Sequence, residues 1–508
     1  MVENRSTVSP SDSQESRMTV RSQRTRSIIR EFSLNTSTHG IPGIARSESK
    51  HNRIFWSISL LIFTGAMTYF IVQAILAYFA YPTQTSISIT HEWPQAFPAV
   101  TICNYAPLIY DRFIESFLNY TNSLQLTNTS DTTNFTIEQA SYIQDYLTYK
   151  LNRNESLQDF FYPLDSMLIS CSYNRLTCTA ANFTWFISPS YGLCYTFNAK
   201  LKDSFGDTLK YNADNGENGK LELHLYIHQH QYVPYLSNGV GAVILVHDNQ
   251  QLPFIEMVGM LLAPSRHHKL GYQKKTSYFL PAPYTTCSDQ LTLGMQAMFN
   301  EYHDTDYGYL ELACFAACIQ SYTYQKCKCG NPFRWTARFI VLPGHSETIN
   351  IPLCNVSDPC YKLAATEIMN TVSIWTTYCP TCKQECEFTE FIIKPTSVLA
   401  PPTYLLKNIK QFVESSQVPL PMNWSTSWIS EIALSYVSVE VTYETTRSEL
   451  YSQQASISAV DVISNVGGNT GLWIGISFLS LMELAEMIYR LARVQWFKLQ
   501  TVMQRNKQ

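Results

Sequence analysis

The chain has 508 residues, 45% of them hydrophobic and 13% aromatic, with a formal net charge of −4. Length alone accommodates two to four ordinary domains, and the near-neutral charge does not suggest a nucleic-acid partner. The 32 tyrosines fit a large packed fold rather than a disordered chain.

The first 50 residues are rich in Ser, Thr and Arg and poor in apolar side chains, which reads as largely disordered. Arg24-Thr-Arg26-Ser27 is a basic serine context of the kind kinases use. Ile54 to Tyr81 then runs 28 residues without Asp, Glu, Lys or Arg. As a helix it reaches about 42 Å, enough to cross a hydrocarbon core of about 30 Å. It is too long and too internal for a signal peptide.

All 14 cysteines lie between Cys103 and Cys386. An even, dense set implies a disulfide framework in an oxidising space. Zinc binding through Cys379-Pro-Thr-Cys382 and Cys327-Lys-Cys329 is the alternative. Seven glycosylation sequons, at Asn119, Asn128, Asn134, Asn154, Asn182, Asn355 and Asn423, also place this region outside the cell. Strand-like runs (Leu221–His228, Ala433–Tyr443) mix with helix-like ones (Ile137–Leu151, Pro402–Ser415), so the class is α+β.

Val462 to Met482 is the second charge-free run, glycine-rich in its first third. On a continuous helix Gly468, Gly471 and Gly475 share one face, which suits close helix packing. Glu486 follows Gly475, and Glu483 follows Leu472, by eleven residues, three turns and nearly the same angle. Carboxylates near a membrane are best tolerated facing water, where a ring of them attracts cations. One helix encloses no pore, so this reading requires a cyclic oligomer. The alternative is that Glu483 and Glu486 both sit just past the bilayer, pairing with Arg490 four residues after Glu486.

Residues 1–53 hold nine Lys/Arg against five acids, and the tail after Glu486 holds Arg490, Arg493, Lys498, Arg505 and Lys507 with no acid. Both termini are therefore expected in the cytoplasm. The expected division is a cytoplasmic segment 1–52, a first span 53–81, an extracellular domain 82–460, a second span 461–490 and a cytoplasmic tail 491–508. No nucleophile–base or metal constellation appears, so no catalytic residue, cofactor or metal is assigned.

Gly467–Ser477 (GGNTGLWIGIS), followed by Phe-Leu-Ser-Leu-Met-Glu483-Leu, resembles the second transmembrane segment of the degenerin, epithelial sodium channel and acid-sensing ion channel superfamily. His39-Gly40, Phe97-Pro-Ala-Val-Thr-Ile-Cys-Asn104, Tyr191-Gly-Leu-Cys-Tyr-Thr-Phe-Asn198 and the cysteine block from Cys287 to Cys386 follow in that family's order. The likeness covers nearly the whole chain and suggests an invertebrate-type member. An ATP-gated trimeric channel shares the topology but not these motifs.

The resemblance implies a trimeric, sodium-selective, amiloride-sensitive channel of the plasma membrane, assembled alone or with related subunits. Each subunit would give two helices and a hand-like, disulfide-rich extracellular domain. The implied disulfides are Cys103–Cys194, Cys171–Cys178, Cys287–Cys386, Cys314–Cys382, Cys318–Cys379, Cys327–Cys360 and Cys329–Cys354. The implied filter is Gly475, Ile476 and Ser477, preceded by Gly471 and Leu472, with His39 and Gly40 at the inner mouth and Glu483 and Glu486 below. Ile476 is larger than the Ala or Ser common there, which bears on sodium selectivity. Ser464 takes the degenerin position, where bulk would hold the channel open. Tyr81-Pro82 and Tyr284 take the places of an aromatic coupling pair, with interface anchoring of Tyr81 as the alternative.

Thr83 stands where acid-sensing members have His, while His224, His228, His230, His247, His267 and His268 read as scattered surface groups. The expected stimulus is a small extracellular ligand or peptide. Proton gating, constitutive opening and force are alternatives, as is a non-conducting surface receptor.

Overall fold

A computed structural model describes residues 25–202, 209–212, 219–302, 305–445 and 447–505. The chain forms two compact units, one from its two ends (up to Gln84 and from Gln454) and one from Thr85–Gln453. Arg24 of the basic serine context lies outside the described residues.

The strands of the central unit, in chain order, are β1 (Thr83–His91), β2 (Ala99–Asn104), β3 (Leu168–Tyr173), β4 (Leu176–Cys178), β5 (Phe183–Ser188), β6 (Gly192–Phe197) and β7 (Lys220–Tyr226). Then follow β8 (Ala242–His247), β9 (Met260–Leu262), β10 (Arg266–Tyr278), β11 (Glu387–Leu399), β12 (Tyr436–Tyr443) and β13 (Arg447–Ala455). An eight-stranded sheet has the order β1-β13-β10-β12-β7-β3-β4, with β11 on β10; a five-stranded sheet has the order β9-β8-β2-β6-β5. Two-stranded ribbons complete the strands.

Period-two patterning sets the faces. In β7 the alternate residues Leu221, Leu223 and Leu225 are buried. They meet Val100, Ile102 and Ile244 of the other sheet in one apolar core. β2 is buried on both faces, because Cys103 turns into a second core with Met295, Met298 and Phe299 of a helix beyond. A strand covered on both sides reads as a continuous apolar run. Further clusters lie under the helices Tyr110–Ser123 and Ile143–Asn152, and under Leu406–Ser415 and Trp424–Ser435.

The disulfides are Cys103–Cys194, Cys171–Cys178, Cys287–Cys386, Cys314–Cys382, Cys318–Cys379, Cys327–Cys360 and Cys329–Cys354. Two pairs are register partners: Cys103 faces Cys194 across β2 and β6, and Cys171 faces Cys178 across a hairpin. Asn174 and Arg175 turn that hairpin with positive φ at both positions, the backbone a two-residue turn requires. The sequon asparagines Asn119, Asn128, Asn134, Asn154, Asn182, Asn355 and Asn423 are all exposed.

Three local expectations need correction. The helix read over Ile137–Leu151 is broken at Tyr142 into Ile137–Ser141 and Ile143–Asn152. The strand read from Ala433 begins at Tyr436, because Ala433–Ser435 finish a helix that buries Trp424 and Ile432. The reading of disorder fails for residues 25–50, which hold a helix over residues 25–35 (α1) and a second, Ile41–Arg46 (α2).

The unit made of the chain ends continues with α3 (Lys50–Phe79), α4 (Ala459–Ile474) and α5 (Phe478–Arg505). α3 has 30 residues and is long and apolar enough to cross a membrane. It buries none of them, leaving Leu61 and Ile62 on its outside. α4 and α5 together make a second apolar length, bent by 74° at the break between them.

Candidate permeation site

The second apolar length is two helices because its residues cap it in the middle. α4 opens with a capping box: the Ser458 hydroxyl accepts from the Asp461 N–H at 3.2 Å, and the Ser458 N–H donates to the Asp461 carboxylate at 2.8 Å. It closes at Gly475, in the left-handed region at φ 69°, a conformation glycine adopts without a Cβ clash. The Gly475 N–H donates to Gly471 O at 3.1 Å and the Ile476 N–H to Thr470 O at 3.2 Å. Two residues on, Ser477 starts α5. Its hydroxyl accepts from the Ser480 N–H at 3.3 Å, while its own N–H donates to the Ser480 hydroxyl at 3.0 Å. Gly475-Ile476-Ser477 is thus a helix stop followed by a helix start.

The break overturns one geometric expectation. Aligning Gly475 with Glu486, and Leu472 with Glu483, requires a continuous helix; a 74° bend between the members of each pair removes the shared face. Gly467, Gly468 and Gly471 present an open strip with no atom within 4 Å of where a Cβ would stand. Gly475 does not share that environment, since a Cβ there would lie 2.8 Å from the ring of His39.

His39 reaches the break from the N-terminal side. Its N–H donates to Ile474 O at 2.8 Å, satisfying a carbonyl left orphan by the end of α4. Gly40, at φ 90°, lets the chain turn there against Leu60 of α3. Gly43 lies flat on the Trp56 ring, 2.6 Å from where a Cβ would be, so α2 packs closely on α3.

Below the break, Glu483 takes the next part of the same segment. One carboxylate oxygen accepts from the Ser37 N–H at 3.0 Å, the Thr36 hydroxyl at 3.1 Å and the Ser37 hydroxyl at 3.3 Å. The Ser37 hydroxyl is 2.6 Å from that of the buried Ser480. Glu483 therefore clasps the N-terminal segment. Glu486 is exposed and 3.8 Å from Arg490, which lies closer to Glu31 of α1, at 3.0 Å.

α4 is held to α3 by Trp473, whose ring stacks on Phe63 at 6.1 Å and on Phe70 at 5.6 Å. Its indole N–H donates to Asn469 at 3.3 Å. The sequence alone singles out neither Trp473 nor Ser480. The Ser-x-x-Ser spacing after the last glycine is the available signal for the second. Leu472 is 76% exposed, and Ser464 is exposed midway along α4. Tyr81 packs on Tyr78 and Phe79 of its own unit, while Tyr284 belongs to the central unit.

The cysteines of Cys379-Pro-Thr-Cys382 and Cys327-Lys-Cys329 are all in disulfides, so these motifs offer no thiolate to a metal. The histidines are not scattered surface groups. His228, His247 and His268 are buried, and His224 and His230 hydrogen-bond to Tyr436 and to the carbonyl of Pro419. Burial pushes His228 down to about 3 and His247 down to about 4, because a desolvated imidazole resists charging.

A helix long and apolar enough to span a membrane, a second one broken at Gly-x-Ser and a disulfide-rich α+β domain fit a membrane channel, the class to which the family match assigns the chain. The family model described as amiloride-sensitive sodium channel matches residues 32–487, and the chain belongs to that family. Similar proteins include the epithelial sodium channel subunit gamma-2 of Xenopus laevis, 25% identical over 93% of this chain and 82% of the relative. Acid-sensing ion channel 1C of Danio rerio is 24% identical over 92% of this chain and 84% of its own length. The epithelial sodium channel subunit gamma of Rattus norvegicus is 28% identical over 66% of this chain, a stretch covering 49% of that relative.

Proposed function

We propose that this chain is a subunit of a sodium-selective, amiloride-sensitive channel of the plasma membrane, of the invertebrate type, opened by a small extracellular ligand or peptide. The observation that carries the reading is the broken second helix, with Gly475 against His39. A chain turned at Gly475 and restarted at Ser477 offers backbone oxygens near a narrow point, which a partly dehydrated cation needs. Gly471, Leu472, Gly475, Ile476 and Ser477 line that point, and a homo- or heterotrimer supplies three copies. Both termini are cytoplasmic, which the basic flanks of the spans support. Glu486 is the inner-mouth carboxylate open to cations, and Glu483 holds the N-terminal segment in place. Ser464 is the gate position. Coupling through Tyr81 and Tyr284 rests on the resemblance alone.

Ligand gating is preferred to proton gating because Thr83 follows Tyr81-Pro82 where the resemblance expects a His in acid-sensing members, and burial holds His228 and His247 well below the ordinary imidazole range. The test is expression in oocytes, with current recorded in sodium at negative voltage while bath pH is stepped and a neuropeptide panel applied. Amiloride-blocked current evoked by a peptide supports the reading. Amiloride-blocked current evoked by acid alone transfers the chain to the proton-gated reading.

A further inference from the structure

A cavity of about 570 Å³ opens in the central unit where β8, β11 and the start of the helix Glu311–Cys327 approach one another. Its walls include Phe254, Phe279, Phe388 and Phe391, each only partly buried. Phe391 is held edge-on to Tyr272 at 5.7 Å. Rings left half-covered around a cavity of this size are the usual lining of a small-molecule site.

The charged groups of the cavity are of one sign. Glu311 and Glu385 both line it, and neither meets a cation among the described residues. Glu385 is fixed by accepting from the Glu311 N–H at 2.9 Å. The loop that carries it is held by Tyr309, whose hydroxyl donates to Lys383 O at 2.6 Å and accepts from the Lys383 N–H at 2.9 Å. A third carboxylate, Glu390, is already neutralised by Lys275. His247, the remaining titratable lining residue, is buried and neutral near pH 7. Burial, and after it the charge of Glu385, raise Glu311 above the ordinary glutamate range, as two like charges without a counter-ion require.

We propose that this cavity binds an amphipathic organic cation, an ammonium or guanidinium on an aromatic body. Glu311 and Glu385 would take the charged end, and the four phenylalanines the apolar end. Aromatic faces attract cations as well as apolar groups, so the lining and the unpaired charge select the same ligand class. The biological use of the site rests on the extracellular-ligand reading above, but occupancy does not, so a binding measurement separates the two.

The test is calorimetric titration of the full-length chain, in nanodiscs of neutral phosphatidylcholine, with phenylethylguanidine. Saturable binding that depends on Glu311 and Glu385 is expected, distinct from any block site in the pore, with phenylethylurea, its neutral analogue, binding at least ~10-fold more weakly. Glu311→Gln/Glu385→Gln should weaken phenylethylguanidine by at least ~10-fold, while the amide oxygen introduced at position 385 keeps an acceptor for the backbone N–H of position 311. Val258 lines the cavity and is 61% exposed, so Val258→Trp fills the space without disturbing the core and should also abolish binding. Equal binding of the urea, unchanged binding by both variants, or no saturable binding overturns the proposal. So does calcium binding through the two glutamates with no binding of the organic cation, which would make this an inorganic cation site.

Discussion

Gly475 is fixed by two separate constraints. Its φ of 69° is one, and the His39 ring 2.8 Å from a would-be Cβ is the other. Alanine there costs about 1–2 kcal/mol of backbone strain alone, and it also expels His39 from the break. In the Ser464→Phe chain, which the proposed gate position would hold open, Gly475→Ala should cut sodium current roughly tenfold with surface expression unchanged. Normal current and selectivity would show that the contact with His39 is dispensable. Glu483 is the other informative residue. Glu483→Leu leaves the Ser37 N–H and the Thr36 hydroxyl without their acceptor, an expense of about 1–3 kcal/mol where such donors stay desolvated. The N-terminal segment should then loosen, seen as faster maleimide labelling of Ser37→Cys from the cytoplasmic side. Unchanged labelling would argue that Glu483 serves permeation and not anchoring.

Among the elements, the pairing of α3 with α4 depends on Trp473 between Phe63 and Phe70. Each aromatic contact contributes about 0.5–1.5 kcal/mol beyond area. Trp473→Ala should therefore reduce the amount of chain reaching the surface in a biotinylation assay, while Trp473→Phe restores most of it. Equal loss from both would assign Trp473 a role other than packing. The two apolar lengths are plain in the sequence, since a run of 28 residues without a charge suits a bilayer better than water. The break is not plain. Hydropathy is continuous through Gly475, and a glycine inside an apolar run signals close packing as readily as a left-handed cap. The stretch 25–50 reads wrongly as disordered for a related reason. Its helices are short, and the order of residues 36–40 comes from partners more than 400 positions away, such as Glu483. Cysteine spacing leaves partners open too: Cys103 faces Cys194 through strand register, which spacing does not encode.

At the scale of the whole molecule, the buried histidines set a pH limit on stability. His228 and His247 titrate near 6.5 when unfolded but at about 3 and about 4 in the fold. Below about pH 6.5 the unfolded chain therefore takes up protons that the folded chain refuses. The neutral imidazoles' contribution is full above that pH and is lost as pH falls toward their folded values, by about 1.4 kcal/mol per unit for each histidine. The melting temperature of the solubilised chain should drop steadily from pH 6.5 to 4, and His228→Gln/His247→Gln should flatten the slope. A melting temperature independent of pH over that range would place both imidazoles in solvent. Acid instability is distinct from acid gating, so the two need separate readouts. The central claim is that the broken helix conducts sodium. Its most direct test is the current of the Ser464→Phe chain in oocytes, expressed alone and beside related subunits, with external sodium replaced by a large organic cation and with amiloride added. A steady inward sodium current that amiloride blocks, and whose reversal potential moves negative when sodium is removed, is the predicted result. Chain present at the surface with no such current in either setting would contradict it.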